Sequence, residues 1–460
     1  MLHSMHCHVP SLPDLNSLFQ TNKTNSAMVA MPVQPPRQAA ELSEEDQLKF
    51  QEMAMQLLDR TLRDLDEHDV EPRSHDKQDP RLWKKIHHKD HFTTYTRCDD
   101  APEAAYVAAD GGRSTTSRPS KDVVLGMGYV QCPLSELMYG VFMGNSQAMA
   151  LKSAVVDKNI GNGAVLKQLM GPTEEDPFRF LALKWIEVRP PRGVSGKLVA
   201  PREVMFLGGT GTLRRRDTGE FIGYEVHHSI DHPAFPPVDG LRRTRIVIGS
   251  IYRERPNGTV DLFIKSYSME ADMGSILGPL AMAHAAKCIE QVWTVPDFAY
   301  AKKLRWCIDH RVHSNSVKAF HAKLAKRCAS CDKSVANKIW QYRAAHRVCN
   351  LCKAPLCSNC RVKKDLYEID PYFRARKFPI RICPPCREFV KQLDAKEVQR
   401  QEMLRPQRPE VLNPLTPSTL DALARNFSLD NSFCTASVES LCMLDSPRAR
   451  SDSVMTDLLN

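Results

Sequence analysis

Long uncharged apolar runs are absent from this chain, and no stretch of eighteen or more such residues occurs among its 460 residues. The sequence therefore predicts no membrane-spanning helix. The first residues also lack a basic segment followed by an apolar run, so we expect no secretory signal. No internal repeat of fixed period is present.

Enzyme signatures are missing as well. We find neither a paired-carboxylate site nor a nucleophile elbow. The glycine-rich segment 208–212 lacks the lysine and the strand–helix context of a phosphate-binding loop, and it predicts a bulge or a turn instead. The pairs His87–His88 and His227–His228 have no matching third ligand, which favours surface histidines over a metal site. We therefore expect a non-enzymatic protein.

Cysteine is abundant, with 15 residues. Seven of them are scattered, and an odd scattered set is a poor disulfide framework. The absence of a signal and of paired bridges predicts an intracellular, cytoplasmic protein, in which paired thiols usually bind metal. The other eight form four Cys-x-x-Cys pairs: Cys328 and Cys331, Cys349 and Cys352, Cys357 and Cys360, Cys383 and Cys386.

The spacing of these pairs predicts two structural zinc sites. Only four residues separate Cys352 from Cys357, so a single ion shared by the two middle pairs would need a very tight loop. Interleaved pairing is easier, with the first and third pairs on one ion and the second and fourth on the other. Four thiolates complete the tetrahedron that zinc prefers and leave no open position for a catalytic water. Metal binding would supply the folding free energy that so small a segment lacks.

Basic residues are concentrated around these cysteines. Residues 323–390 carry 16 Lys and Arg against 5 Asp and Glu, whereas the net charge of the whole chain is +9. The positive surface predicts an anionic membrane lipid or an acidic protein as partner. A solvated basic face without a partner is the simpler alternative. Nucleic acid is not expected, because no pattern of interleaved aromatic and basic residues is present.

The interleaved spacing, the four-residue middle gap and the run Arg381-Ile382-Cys383 resemble a FYVE-type finger. The resemblance implies binding to phosphatidylinositol 3-phosphate, with peripheral attachment to endosomal membranes. The residues it points to are Arg343, His346, Arg347 and Arg381 as anion contacts, and Ile339, Trp340 and Tyr342 as an apolar loop entering the membrane or packing over the zinc knuckles.

The match is incomplete, because Val348 and Asn350 stand where the family has a histidine and an arginine. The family's tryptophan–aspartate motif before Cys328 is also missing. Loss of an arginine removes a bidentate phosphate contact. We therefore expect a FYVE-like scaffold with an impaired lipid site. A RING-like ubiquitin ligase, a protein-interaction finger and a nucleic-acid finger of the PHD or ribbon kind remain as alternatives.

The region before the finger has alternating strand patterns. A helix is predicted from about 44 to 67, with Leu48, Met55, Leu58, Leu62 and Leu65 on its apolar face. Strands are predicted at 92–96, 123–130, 180–188, 203–213 and 223–229, with short helices at 134–143 and 146–157. A hairpin (243–252 and 259–267) turns at Pro256-Asn257-Gly258, and a last helix, 275–292, ends at Pro296.

This order predicts an α+β domain whose antiparallel sheet curls around a C-terminal helix. Over residues 80–305, and best over Arg242–Tyr267 and Ser275–Val292, it resembles the START-like helix-grip domain. The resemblance implies a tunnel between sheet and helix that holds a lipid or another apolar ligand, and a filled core is the alternative. We predict a disordered N-terminus (1–40), the START-like domain (41–310), a linker helix (311–327), the finger (328–390), and a short helix with a disordered tail (391–460).

Overall fold

The computed structural model describes residues 42–70, 79–98, 123–156, 160–189, 201–269, 286, 288–310, 312, 327, 328, 330–334, 348–370 and 373–404. All of them belong to one compact unit that ends at Pro406. The termini predicted to be disordered and most of the predicted linker helix lie outside the described residues. Within the described part, no helix has the length and apolar character needed to cross a bilayer.

The first helix, α1 (Glu44–Val70), begins at a capping motif. The hydroxyl of Ser43 accepts a hydrogen bond of 3.0 Å from the N–H of Asp46 and donates one of 2.6 Å to the Asp46 carboxylate. The predicted helix is confirmed, but part of its predicted apolar face is wrong. Leu48 and Met55 are exposed, because the buried stripe instead contains Phe50, Ala54, Leu57, Leu58 and Leu65.

The α+β class is confirmed by a large antiparallel sheet. The strand order across it is β1-β2-β3-β10-β9-β7-β6-β5-β4, and β8 pairs with β6 in parallel. The strands are β1 (Trp83–Lys89), β2 (Phe92–Arg97), β3 (Val124–Val130), β4 (Ile160–Met170), β5 (Phe180–Val188), β6 (Arg202–Arg214), β7 (Phe221–Ser229), β8 (Arg242–Arg243), β9 (Ile246–Glu254) and β10 (Val260–Met269).

Apolar side chains cover both faces of the sheet. The outer face, which includes Leu125 and Phe263, packs against α1. The inner face, which includes Leu262 and Ile264, packs against α2 (Leu134–Val141) and a C-terminal helical segment that includes residues 288–290. A third helix, α3 (Ser146–Val155), lies against β4.

The predicted β9–β10 hairpin is confirmed, and its turn follows from side-chain chemistry. Gly258 has φ +77°, a left-handed conformation that glycine adopts without strain. The side-chain oxygen of Asn257 accepts hydrogen bonds from the N–H and the hydroxyl of Thr259, at 3.1 and 2.7 Å. The turn therefore fixes the register of the two strands.

Two predictions for this region are wrong. Pro296 does not end the last helix: residues 288–290 continue through a 3-10 turn (Gln291–Thr294) into α4 (Val295–His310). Proline is tolerated in the first turn of a helix, where no intrahelical donor is needed. Segment 208–212 is not a bulge or a turn either, because it lies inside β6, which pairs with β5 without a register shift. Most of the predicted helix 275–292 lies outside the described residues.

The cysteine-rich region adds a small hairpin and two helices. Strands β11 (Val362–Ile369) and β12 (Ala375–Ile382) pair antiparallel along their whole length. Helices α5 (Pro384–Gln392) and α6 (Ala395–Met403) follow. The sequence predicted one short helix after 391, and α6 lies there, separated from α5 by Leu393 and Asp394.

Candidate metal centre and inner face of the sheet

The eight paired cysteines form two groups. Cys328, Cys331, Cys357 and Cys360 lie together, as do Cys349, Cys352, Cys383 and Cys386, and the sulfur atoms within each group lie within 4.8 Å of one another. These are the sets that interleaved pairing brings together. Four ligands at about 2.3 Å in a tetrahedron have sulfurs about 3.8 Å apart. The Cys331–Cys357 distance of 3.7 Å and the Cys352–Cys383 distance of 3.8 Å match that geometry. Each group can therefore hold a metal ion.

Two of the Cys-x-x-Cys pairs have the same backbone turn. The N–H of Asp332 donates to the carbonyl of Cys328, and the N–H of Lys353 donates to the carbonyl of Cys349, both at 2.9 Å. Asp332 and Lys353 have φ +57° and +62°, so each turn closes through a residue in the left-handed conformation. This repeat explains how each pair directs both sulfurs to one point.

The last pair is positioned by α5. Cys383 is the N-cap of that helix, and its sulfur accepts a hydrogen bond of 3.4 Å from the N–H of Cys386. The N–H of Cys383 in turn donates to the sulfur of Cys349, also at 3.4 Å. Pro384 occupies the first turn of the helix, where proline is favoured. The hydrogen bond between Cys386 and Cys383 therefore both caps the helix and positions the Cys383 thiol.

Asn350 has a structural role in the finger. Its N–H donates to the carbonyl of Arg381, and its side-chain oxygen accepts from the N–H of Arg381, both at 2.7 Å. The residue therefore joins the Cys349 turn to β12. The side chain of Arg381 has a buried Nε that finds no hydrogen-bond partner in the described part of the chain.

The other predicted lipid contacts are not described. Arg343, His346, Arg347, Ile339, Trp340 and Tyr342 all lie outside the described residues. Their roles stay predictions.

The finger shares its apolar core with α4. One cluster of buried side chains joins Leu304 and Cys307 of α4 to Leu351, Ile380 and Val390 of the finger, together with buried cysteines of both groups. A small cysteine-rich segment cannot bury much apolar surface alone. Helix α4 supplies the missing surface, and the core crosses the predicted domain boundary at position 310.

Buried lysines reinforce this junction. The ammonium of Lys303 is 2.5 Å from the Glu136 carboxylate of α2 and donates to the carbonyls of Lys391 and Leu393, at 3.3 and 3.0 Å. It therefore connects α2 and α4 with the end of α5. Since every donor has an acceptor in this arrangement, burial of the charge is compensated.

A second set of contacts involves α6. The hydroxyl of Tyr139 donates to Glu402 at 2.9 Å, and the ammonium of Lys302 donates to the Tyr139 carbonyl at 2.7 Å. The same ammonium lies 3.9 Å from the centre of the Tyr139 ring. Burial lowers the pKa of Lys302 to about 8. Helices α2, α4 and α6 are thus joined by directed polar contacts as well as apolar ones.

A separate polar cluster lies on the inner face of the sheet, around Glu225. One oxygen of its carboxylate is 3.3 Å from His227 Nε2 and 3.9 Å from Lys152 Nζ, and the other accepts a hydrogen bond of 3.0 Å from Tyr252. Burial would raise the pKa of Glu225, but Lys152, His227 and Tyr252 more than offset this and hold it below its usual range. Glu225 is therefore an ionised carboxylate that is fully engaged.

Sequence reasoning missed this cluster. It assigned His227 to the surface, whereas the side chain is 22% exposed and paired with Glu225. The available signal was a charged residue inside an otherwise apolar strand: Lys184 interrupts the run Phe180–Trp185, and its side chain is buried. A charge at a buried strand position is costly and therefore informative.

Comparison with known proteins gives loose structural likenesses. No family model matches the chain, and no curated protein matches it. It is similar to human StAR-related lipid transfer protein 5 at 15% identity, over 54% of this chain and 98% of that one, with a TM-score of 0.34. It is similar to human STARD10 at 12% identity, over 56% of this chain and 83% of that one, with a TM-score of 0.28. It is similar to the human StarD13 lipid transfer and protein localization domain at 11% identity, over 50% of this chain and 95% of that one, with a TM-score of 0.30. These scores assign no ligand.

Proposed function

We propose that this chain is a non-enzymatic lipid-binding adaptor, with a START-like sheet domain for an apolar ligand and a finger that holds two structural zinc ions. The composition of the inner face carries the proposal. At the α2 end it is apolar, with Leu262 beside Leu134 and Met138. Towards Lys184 and Ser266 it is polar although buried. A buried surface that is apolar at one end and polar at the other suits an amphipathic molecule.

The two cysteine groups favour zinc over other metals. Soft thiolates in a tetrahedral set of four suit zinc or an iron–sulfur cluster. Paired knuckles of two Cys-x-x-Cys units are common in structural zinc sites. Four protein ligands leave no position for a reactive water, so the ions would stabilise the fold and take no part in chemistry.

The finger would direct the protein to an anionic membrane. Its FYVE-type spacing and basic composition support attraction to acidic lipids, worth about 1 kcal/mol for each basic residue near the surface. The N–H and the side-chain oxygen of Asn350 both bond to the backbone of Arg381. This position therefore supports the scaffold and does not replace the family's arginine. We therefore propose charge-driven peripheral attachment, on endosomal or other intracellular membranes, with little headgroup specificity.

Two measurements on the full-length protein test this function. Mass spectrometry of small molecules that co-purify with it should identify a lipid, and a protein free of lipid would contradict the ligand-binding part. Flotation with liposomes that differ in phosphatidylinositol 3-phosphate but match in total negative charge should give equal binding. Binding that follows the headgroup would contradict the proposed charge-driven attachment.

A further inference from the structure

Lys184 of β5 lies flat on the inner face of the sheet. Its side chain crosses β6 at Gly208, where a Cβ atom would be 2.8 Å from Lys184 Cδ. Any other residue at Gly208 would displace the lysine. The ammonium points back along β5 and lies 5.1 Å from the centre of the Phe180 ring. The chain therefore makes room for a lysine that is only 1% exposed.

This ammonium forms no ion pair in the described part of the chain, although Glu225 is near enough to raise its pKa. Among the described residues, no carboxylate pairs with Lys184, and no hydrogen bond involves its ammonium. The other lysines of this region differ, since Lys303 pairs with Glu136 and Lys152 approaches Glu225. A buried charge without a partner is strongly unfavourable. Burial lowers the pKa of Lys184 to about 8, so the group still carries its charge at neutral pH.

A second buried polar group on the same face also lacks a partner. The hydroxyl of Ser266 is fully buried, and no hydrogen bond reaches it within the described chain. Strand pairing places Ser266 opposite Ile248, Ile248 opposite His227, and His227 opposite Gly208. Ser266 and the Gly208 crossing are thus three strands apart, about 14 Å. The inner face has partnerless polar groups at two points along this row.

We infer that the inner face binds an amphipathic anion, with a carboxylate or phosphate group on the Lys184 ammonium and an apolar body against the neighbouring aromatic side chains. This inference rests on the proposed ligand-binding function and names the class of ligand. Phe180 and Phe142 pack edge to face beside the lysine, with ring centres 5.7 Å apart, and offer the apolar contact. Glu225 attracts the Lys184 ammonium from beyond ion-pair distance, but its carboxylate oxygens are engaged by Lys152, His227 and Tyr252. One added anion balances the unpaired cation.

The test compares ligands that differ only in their head group. The full-length protein, stripped of lipid, is titrated with a fluorescent long-chain fatty acid, the fatty alcohol of the same length, and a lysophosphatidic acid of the same length. We expect both acids to bind at least about tenfold more tightly than the alcohol. The tighter of the two acids identifies the source of the anion. Equal affinity of acid and alcohol would overturn the inference but leave lipid binding intact, whereas failure of all three to bind would overturn both.

Variants locate the effect. Lys184→Met should weaken acid binding about tenfold or more and leave alcohol binding unchanged. Lys167→Met, an exposed lysine on β4, is the matched control and should change neither. The melting temperature of the lipid-free Lys184→Met protein should be equal to or above that of the parent, because the variant removes an uncompensated charge. Equal weakening of acid and alcohol by Lys184→Met would overturn the role given to the ammonium.

Discussion

The sheet domain and the finger are stabilised by different means. The sheet domain buries apolar side chains on both faces of its strands, with α1 on the outer face and α2 and α4 on the inner one. The finger has a thin core of cysteines and a few apolar residues, and it completes that core with Leu304 and Cys307 of α4. The finger thus adds surface from its neighbour to a small core, and its two cysteine groups can add metal binding.

Loss of a metal ligand should have the largest effect and should act on the finger alone. Cys383→Ser removes a thiolate and the N-cap of α5 together. Structural zinc sites contribute on the order of 10 kcal/mol, so we expect the variant to lose one zinc equivalent and to unfold its finger. Metal analysis and thermal unfolding measure both effects. Cys98→Ser, a cysteine outside both groups, should keep two equivalents. A Cys383→Ser protein that keeps two zinc ions would rule out the assigned set.

Loss of the buried ion pair between α2 and α4 should have the second-largest effect on stability. Lys303→Met leaves the Glu136 carboxylate without its partner, which typically costs about 3–5 kcal/mol. Adding Glu136→Gln to it removes the stranded charge and should recover most of the loss. Urea unfolding of the single and double variants checks this coupling. Additive losses would show that the two groups do not act as a pair.

A cavity created in α4 should affect the finger more than a cavity of the same size in the sheet domain. Leu304→Ala and Leu262→Ala each truncate a buried leucine, and each should cost about 2–5 kcal/mol. Leu304 lies in the finger cluster and Leu262 in the sheet cluster. We therefore expect only Leu304→Ala to accelerate zinc release to a chelator at equal global stability loss. Equal release rates would mean that α4 does not support the finger.

The last predicted effect is a pH dependence of the sheet domain, which appears only at alkaline pH. The pKa of Lys184 falls from 10.5 to about 8 on folding, so the unfolded chain binds this proton more tightly. Stability should therefore rise as pH increases from about 8 to 10.5, by about 3 kcal/mol from this group. The difference between the lipid-free parent and Lys184→Met isolates this contribution from those of Lys302 and other groups. A constant difference over this range would contradict the unpaired burial of Lys184.

The central elements of the fold were predictable, and the sheet edges were not. The sequence predicted β5 with its observed bounds and the β9–β10 hairpin from its turn. It missed β1 and β4, which form the two edges of the sheet. Edge strands have a solvated side and carry charges that obscure the alternating pattern. β1 contains Lys84, Lys85 and the histidine pair, so it resembles a loop in sequence.

The metal groups were predictable from spacing alone, whereas the inner polar cluster was not. A Cys-x-x-Cys pair indicates metal binding from four consecutive residues, and the four-residue gap between the middle pairs limits which pairs can share an ion. Lys152, Lys184 and Glu225 come from α3, β5 and β7, and only the strand order brings them together. Contacts of this kind depend on sheet register, which the sequence pattern of one strand does not contain.

Native mass spectrometry of the full-length protein is the decisive experiment for the two metal sites, because it counts bound ions and ligands on the folded chain. We expect two zinc ions for each chain, retained by the Cys98→Ser control and reduced to one in Cys383→Ser. A folded parent protein that carries one zinc ion or none would contradict this expectation.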